Sequence, residues 1–147
     1  MSMYNKVMLK YNALSLISKI RTEAYKMIVS ELEKHGVEGI VPSHGDVLIF
    51  LYEQDGLSVK ELANKIHLTQ PTVTVLINKL EKLGYVNRIK SGEDSRVTLV
   101  KLTEKGVALQ PAFRDISDKL NEAIYGGLSP AQREDLEFLL EHIYRRF

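Results

Sequence analysis

The chain has 147 residues, 44% of them hydrophobic, with no cysteine and a formal net charge of +1. This length is typical of one domain with a buried core, and the lack of cysteine excludes a disulfide framework, a thiolate zinc site and a thiol redox switch. No apolar run approaches the roughly 20 residues of a membrane-spanning helix, and no apolar signal segment stands near the start. We therefore expect a cytoplasmic protein with no membrane partner.

The N-terminal segment predicts one long helix across residues 5–34, since it lacks proline and glycine and its apolar residues recur at helical spacing. Its main apolar face carries Val7, Leu14, Ile17, Ile20, Ala24, Met27, Ile28 and Leu32, and a second face carries Leu9, Ala13 and Leu16. Such a helix needs other helices to cover it, and a second copy of the chain can supply them. Ser43 is expected to cap the next helix, across residues 44–54.

Two short helices joined by a turn are predicted next. Ser58 and Glu61 have the S-x-x-E spacing of a capping box, so a helix should begin at Val59. After the turn, Thr69 is a good N-cap for a second helix, which Gly84 is placed to end. The apolar stripe of this second helix consists of Val73, Leu76, Ile77, Leu80 and Leu83.

A hairpin follows, because the apolar spacing changes from helical to alternating. Residues 85–90 and 97–102 have strand character, and residues 91–95 between them are turn formers.

Positive charge is concentrated in the segment that contains the two short helices and the hairpin. Residues 58–101 carry eight basic and four acidic side chains, a net charge of +4, whereas the rest of the chain has twelve basic and fifteen acidic side chains, a net charge of −3. Such asymmetry is expected where a protein neutralises phosphates.

The C-terminal third is predicted to be helical. Thr103 should cap a helix across residues 104–125, which the glycine pair at 126–127 ends. Ser129 and Gln132 then form a capping box for a last helix. Long helices at both ends of the chain favour a dimerisation layer made from them.

Helix, turn, helix and hairpin in this order make a winged helix-turn-helix, and the chain resembles the MarR family of bacterial and archaeal transcription regulators. The runs that carry the resemblance are LTQPTVT at 68–74, LEKLGYVNR at 80–88, DSR at 94–96 and LTEKG at 102–106. The resemblance implies a single, mainly α (α+β) domain over residues 1–147. Within it, a winged helix with a two-stranded β wing spans 43–102, and dimerisation helices span 5–40 and 104–147.

For function, the resemblance implies a homodimer that binds double-stranded DNA at a palindromic operator. Most members of the family repress transcription, and many release DNA when a small-molecule effector binds. A second class of function is a winged-helix protein-interaction module without specific DNA binding. That class predicts an acidic or apolar recognition face and a wing without basic residues, whereas this chain has threonine, asparagine and lysine on the face and arginine on the wing.

The second helix of the motif is assigned to the major groove, where its N-terminal residues reach base edges. Gln70 and Asn78 can each pair with adenine, and Thr74 and Val75 can contact a thymine methyl group, which favours an A·T-rich half-site. The lysines of this helix are expected to meet phosphates. The recognition-helix residues assigned to DNA are Thr69, Gln70, Pro71, Thr72, Thr74, Val75, Asn78, Lys79 and Lys82.

In the wing, the resemblance assigns Arg96 to the minor groove, where a narrow A·T-rich groove concentrates negative potential, with Asp94 orienting it by a salt bridge. The alternative is an exposed ion pair that contributes little. The wing residues assigned to DNA are Lys90, Ser91, Asp94, Ser95 and Arg96.

The sequence offers few candidates for a ligand, metal or catalytic site. The family analogy marks Arg21, Tyr25 and His44 as candidates for a small-anion pocket, the alternative being that Tyr25 packs in the helical layer while Arg21 pairs with a carboxylate. The four histidines include no pair three or four residues apart, so we expect no metal site and no cofactor. No catalytic motif is present, and we assign no catalytic residue.

Overall fold

The computed structural model of the protein describes residues 11–147, and the part of the predicted N-terminal helix that includes Val7 and Leu9 lies outside them. Residues 11–147 form seven helices and three strands. In chain order they are α1 (Ala13–Lys34), α2 (Pro42–Glu53), β1 (Leu57–Ser58), α3 (Val59–Ile66), α4 (Gln70–Lys82), β2 (Val86–Lys90), β3 (Thr98–Leu102), α5 (Glu104–Ala108), α6 (Gln110–Tyr125) and α7 (Pro130–Tyr144). This order confirms the mainly α winged helix-turn-helix. None of these helices is long and apolar enough to cross a membrane.

The sheet has three antiparallel strands in the order β1-β3-β2. The predicted wing hairpin pairs β2 with β3, from Val86 opposite Leu102 to Lys90 opposite Thr98. Strand β1, in which Leu57 pairs with Val100, was not predicted from the sequence. A strand of two residues is too short to show an alternating pattern, and it forms because the apolar Leu57 becomes fully buried there.

The core lies where α2, α3 and α4 meet the sheet. The apolar stripe predicted for α4 is confirmed, since Val73, Ile77 and Leu80 are fully buried and Leu83 is partly buried. They pack in one cluster with fully buried residues of the neighbouring elements, which are Val47, Leu48, Leu51, Leu62, Val86 and Val100. Burying one such side chain stabilises the fold by roughly 1.5–3 kcal/mol, so this cluster determines which face of α4 remains outside.

Side-chain caps define the ends of the predicted motif helices. The Ser58 hydroxyl accepts a hydrogen bond from the Glu61 N–H at 3.1 Å, and α3 begins at Val59 as predicted. The Thr69 hydroxyl accepts from the Thr72 N–H at 3.4 Å at the start of α4. After α4, Gly84 has φ +85°, a left-handed conformation that favours glycine and reverses the chain toward β2.

The predicted start of α2 was wrong. The helix begins at Pro42, which precedes the predicted cap Ser43, and Val41 is its N-cap. Proline suits this first position because the N–H that it lacks would have no helical partner there. The His44 ring then accepts a hydrogen bond from the Val41 N–H at 3.0 Å through Nδ1.

The helix predicted across residues 104–125 is divided in two at Leu109. Pro111 stands in the first turn of α6. A continuous helix would need an N–H at this position to bond the carbonyl of Val107, and the proline ring would collide with that carbonyl. The apolar spacing continues across the break, which is why the spacing alone predicted one helix.

Apolar side chains remain exposed on the terminal helices. Helix α7 has no buried residue along its 15 residues. Its exposed apolar side chains are Phe138, Leu139, Leu140, Ile143 and Tyr144, and those of α1 include Leu14, Leu16, Ile17 and Ile20. Neither set of side chains is covered by the part of the chain that the structure describes.

Gly106 is the tightest point of the junction between the wing and α5. A β-carbon added there would overlap the carbonyl oxygen of Tyr85 and approach Leu102 at 3.2 Å. We expect Gly106→Ala to destabilise the protein by about 1–3 kcal/mol in urea unfolding, because the overlap outweighs the better helix propensity of alanine. Gly92→Ala is the control, since it meets no atom within 4 Å and should change stability by less than about 0.5 kcal/mol. Equal stabilities of the two variants would contradict the packing argument.

Candidate nucleic-acid interface

The exposed face of α4 gathers most of the predicted recognition residues. Opposite the buried stripe, Val75 is 66% exposed, and Pro71, Asn78, Lys79 and Lys82 are exposed as well. Thr74 is half-buried at the edge of this face. The buried stripe therefore leaves a face of α4 that is mainly polar and basic, with Val75 protruding from its middle.

The N-terminal end of α4 is also open. Gln70 and Thr72 are exposed, and the hydroxyls of Thr69 and Thr72 lie 2.7 Å apart, where either can donate. The turn before them places His67 at φ +62°. The Tyr144 hydroxyl, at the end of α7, lies 3.3 Å from Nδ1 of His67. His67 is an exposed turn residue, and its contact with α7 could not be predicted from the sequence because 77 residues separate the two side chains.

An arginine on β2 connects the recognition helix to the wing. Arg88 donates through Nη1 to Glu81 Oε1 at 2.9 Å, and its backbone N–H donates to Glu81 Oε2 at 3.2 Å. Its Nη2 donates to the amide oxygen of Asn78. These contacts were not predicted from the sequence, although all three residues lie within or just before the LEKLGYVNR run. The network fixes the start of β2 against the C-terminal half of α4.

The wing tip holds the predicted salt bridge between Asp94 and Arg96. The guanidinium donates from Nε and Nη2 to the two carboxylate oxygens, each at 3.1 Å, and the Arg96 N–H donates to Oδ1 at 3.0 Å. The Arg96 bonds hold the pKa of Asp94 below its ordinary value. Ser91 supports the turn, since its hydroxyl accepts from the N–H groups of Glu93 and Asp94. The Arg96 side chain is nevertheless 90% exposed, so a bidentate pair aims it into solvent.

Comparison with known proteins agrees with this geometry. A family model described as "MarR family" matches residues 40–98. The chain is 30% identical over 127 residues to the organic hydroperoxide resistance transcriptional regulator of Bacillus subtilis (strain 168), an alignment that covers 86% of this chain and 79% of that protein. The chain belongs to the MarR family.

Two further matches extend this assignment. The HTH-type transcriptional regulator SarZ of Staphylococcus haemolyticus (strain JCSC1435) is 32% identical over 97 residues, which are 66% of this chain and 65% of SarZ. The crystal structure of the S. aureus MepR–DNA complex has a TM-score of 0.82 at 27% identity, and the match covers 90% of this chain and 96% of that one. This MarR-family chain is therefore a DNA-binding winged-helix transcriptional regulator.

The three candidates for a small-anion pocket do not line one cavity in this MarR-family chain. The Arg21 guanidinium donates to the Tyr25 hydroxyl at 3.0 Å and stacks 4.8 Å from the centre of its ring. Tyr25 borders an open cavity of about 560 Å³ between α1 and the start of α2, whose lining includes neither Arg21 nor His44. His44 is buried in the cap of α2, and this burial, followed by the nearby charge of Lys79, lowers the pKa of its ring. The ligand role of these residues stays a prediction.

A second group of polar side chains connects α1 to α6. In the described part of the chain, potential metal-ligand atoms of Glu31, His35 and Asp115 lie within 4.8 Å of one another. The Lys119 ammonium, however, binds Glu31 at 2.7 Å and Asp115 at 3.2 Å. Asp115 also lies 2.9 Å from Nε2 of His35, and Lys34 lies 3.1 Å from Glu31. A cationic side chain thus already neutralises both carboxylates, and the arrangement is a salt-bridge network that helical spacing alone could not reveal.

This network predicts a pH-dependent stability. Hydrogen bonds from Lys119, then from Lys34, lower the pKa of Glu31, which is only 6% exposed. A carboxyl whose pKa is lowered by folding contributes stability above its ordinary pKa and loses it as the pH falls through the folded value. Lys119→Met should therefore destabilise the protein at pH 7 in urea unfolding. The difference from the wild type should shrink below about pH 4, where carboxylates become protonated.

Lys26→Met is the matched control for this variant. Lys26 lies on α1 and pairs with Glu23 at 3.3 Å, but both side chains are more than two-thirds exposed. Solvent screens such a pair, so this variant should keep nearly wild-type stability at every pH. A Lys119→Met deficit of equal size at pH 7 and pH 3.5 would show that its cause is lost packing and not lost charge pairing.

Proposed function

We propose that this protein is a homodimeric repressor that binds a palindromic operator in double-stranded DNA through α4 and the wing. The observation that carries the proposal is that the winged helix exposes two surfaces that are suited to contact DNA. One is the polar and basic outer face of α4, and the other is the Arg96 side chain at the wing tip. The network around Arg88 holds these two surfaces in a fixed relation. A protein-binding module would not need an arginine displayed in this way.

Helix α4 enters the major groove in this proposal. Gln70 and Thr72 lie at its open N-terminal end, where recognition helices reach base edges. Val75 protrudes from the middle of the face and suits contact with a thymine methyl group. Lys79 and Lys82, in the last turn, bind phosphates and add affinity without reading sequence.

The wing places Arg96 in the adjacent minor groove. Its bonds to Asp94 use Nε and Nη2, so Nη1 remains available to donate to base edges or phosphates. A guanidinium held by a bidentate pair loses less conformational entropy on binding than a free one. Further contacts to the sugar-phosphate backbone of the DNA come from three wing residues near Arg96, which are Lys90, Ser91 and Ser95.

The dimer is formed by the terminal helices. The apolar side chains of α7 and α1 find too little cover within one described chain, and a second copy related by twofold symmetry buries both sets at once. Twofold symmetry in the protein requires a matching symmetry in the operator. A small effector in the cavity beside Tyr25 would act on both α1 and α2, which joins dimerisation to DNA binding. This function places the protein in the cytoplasm.

Arg96→Ala tests the DNA assignment. Purified protein is titrated by fluorescence anisotropy against fragments upstream of its own gene, with scrambled competitor, at two salt concentrations. The wild type should bind one fragment despite competitor, and Arg96→Ala should weaken that binding about tenfold or more and reduce its salt dependence. Arg114→Ala, an exposed arginine on α6, is the control and should bind as the wild type does. Unchanged affinity of Arg96→Ala would remove the wing from the interface.

Phe138→Asp tests the dimer. Phe138 is 69% exposed within its own chain, so a charge there should leave the monomer folded but disfavour burial between two chains. Sedimentation velocity should show a dimer for the wild type and a monomer for Phe138→Asp, with equal helix content by circular dichroism. Deletion of residues 128–147 should likewise abolish the dimer, whereas the surface change Glu134→Ala should preserve it. A stable dimer of both the Phe138→Asp and the deletion variants would refute the role of α7.

A further inference from the structure

Asn78 occupies a position on α4 from which it can read a base. It is exposed, and it lies one helical turn after the protruding Val75 and one turn before Lys82. The sequence alone predicts adenine as its partner, since an asparagine amide can donate to N7 of adenine and accept from its N6 amino group. That pairing requires both ends of the amide to face the DNA.

The structure removes this freedom from the amide. A guanidinium has five N–H donors and no acceptor, so the amide atom that faces Arg88 has to be the oxygen. The opposite rotamer would bring the amide NH2 group against a cation and is excluded. The positions of the oxygen and nitrogen in the Asn78 amide are therefore fixed by one neighbour, the Arg88 guanidinium.

Arg88 is itself held firmly. Glu81, one turn along α4 from Asn78, binds the Nη1 group at 2.9 Å and the Arg88 backbone N–H at 3.2 Å. The Arg88 side chain is only 26% exposed. Turning the amide would cost Arg88 one of its acceptors at a site where little solvent is available to replace it.

We propose that Arg88 sets the base preference of Asn78, which presents only hydrogen-bond donors to the major groove and so selects guanine over adenine at one operator position. This inference rests on the proposed function. The oxygen is directed at the guanidinium on β2, whose positive charge also disfavours a second donor such as the adenine N6 amino group. The free NH2 group suits acceptors, and guanine offers two, O6 and N7. Thymine offers one through O4, and cytosine presents a donor that is rejected.

The experiment measures base preference at every operator position. Once footprinting has located the half-site in the bound fragment, duplexes carrying all four base pairs at each position compete for the protein. The wild type should show one position that favours guanine over adenine by roughly fivefold or more. Asn78→Ala should lose the preference at that position alone. Asn78→Asp should lose it as well while retaining an acceptor for Arg88, so it also controls for folding.

Arg88→Met tests whether Arg88 determines which base Asn78 contacts. With the guanidinium absent, the amide can turn and pair with adenine, so the preference at the same position should shift from guanine toward adenine. Glu81→Gln should shift it in the same direction and by less, since it loosens Arg88 without removing it. Lys82→Ala is the matched control on the same face, and it should weaken all duplexes by the same factor and leave every preference as it was.

The outcomes distinguish this inference from the proposed function. Specific operator binding in which Asn78→Ala and Asn78→Asp alter no base preference overturns the inference alone, as does a wild-type preference for adenine at the Asn78-dependent position. A guanine preference that persists in folded Arg88→Met removes Arg88 as its cause. Binding that scrambled competitor abolishes for every fragment overturns the proposed function, and the inference falls with it.

Discussion

The structure depends on the burial of one face of α4. Val73, Ile77 and Leu80 are sealed against α2, α3 and the sheet, so the helix cannot rotate about its axis without exposing them to water. Three such side chains represent several kcal/mol of hydrophobic free energy, which is comparable to the whole net stability of a domain this size. The outward direction of Val75, Asn78 and Lys82 follows from that constraint. The side chains that α4 presents to its surroundings are thus determined by the side chains that it buries.

A second layer of order comes from polar bonds between elements. Arg88 joins β2 to α4, and the Thr103 hydroxyl donates to the Gly84 carbonyl at 2.6 Å, where the chain leaves the hairpin. Asp55, between α2 and β1, accepts from the Leu102 N–H at 2.9 Å. These three contacts hold the wing against the helical part of the winged helix, so α4 and the wing keep a fixed relative position.

The sequence predicted well whatever is determined locally. The Thr69 cap before α4, the left-handed Gly84 after it and its buried stripe were predicted from capping preferences, the conformational freedom of glycine and helical spacing, each of which depends on a few neighbouring residues. The Asp94–Arg96 pair was predicted from the resemblance of the wing sequence to that of the MarR family. Contacts between distant segments were not predicted. Two examples are the ion pair of Glu31 with Lys119 and the hydrogen bond from Arg88 to the Asn78 oxygen. Both depend on how helices and strands pack, which the periodic pattern of a sequence does not show. Pro111 could have predicted the division at Leu109, but the apolar spacing continues across it and predicts one helix.

The division between α5 and α6 has a mechanical consequence. Gly106 packs against the Tyr85 backbone, and its carbonyl accepts a hydrogen bond from the Tyr52 hydroxyl at 2.7 Å, so α6 leaves the winged helix from a clamped joint. A helix of 16 residues is about 24 Å long, and a rotation of about 10° at one end moves the other by about 4 Å. That displacement exceeds the rise of one base pair, about 3.4 Å. In the proposed twofold dimer, α6 connects the winged helix to α7 in the dimer layer, so the stiffness of this joint sets how accurately the two recognition helices are spaced along the DNA.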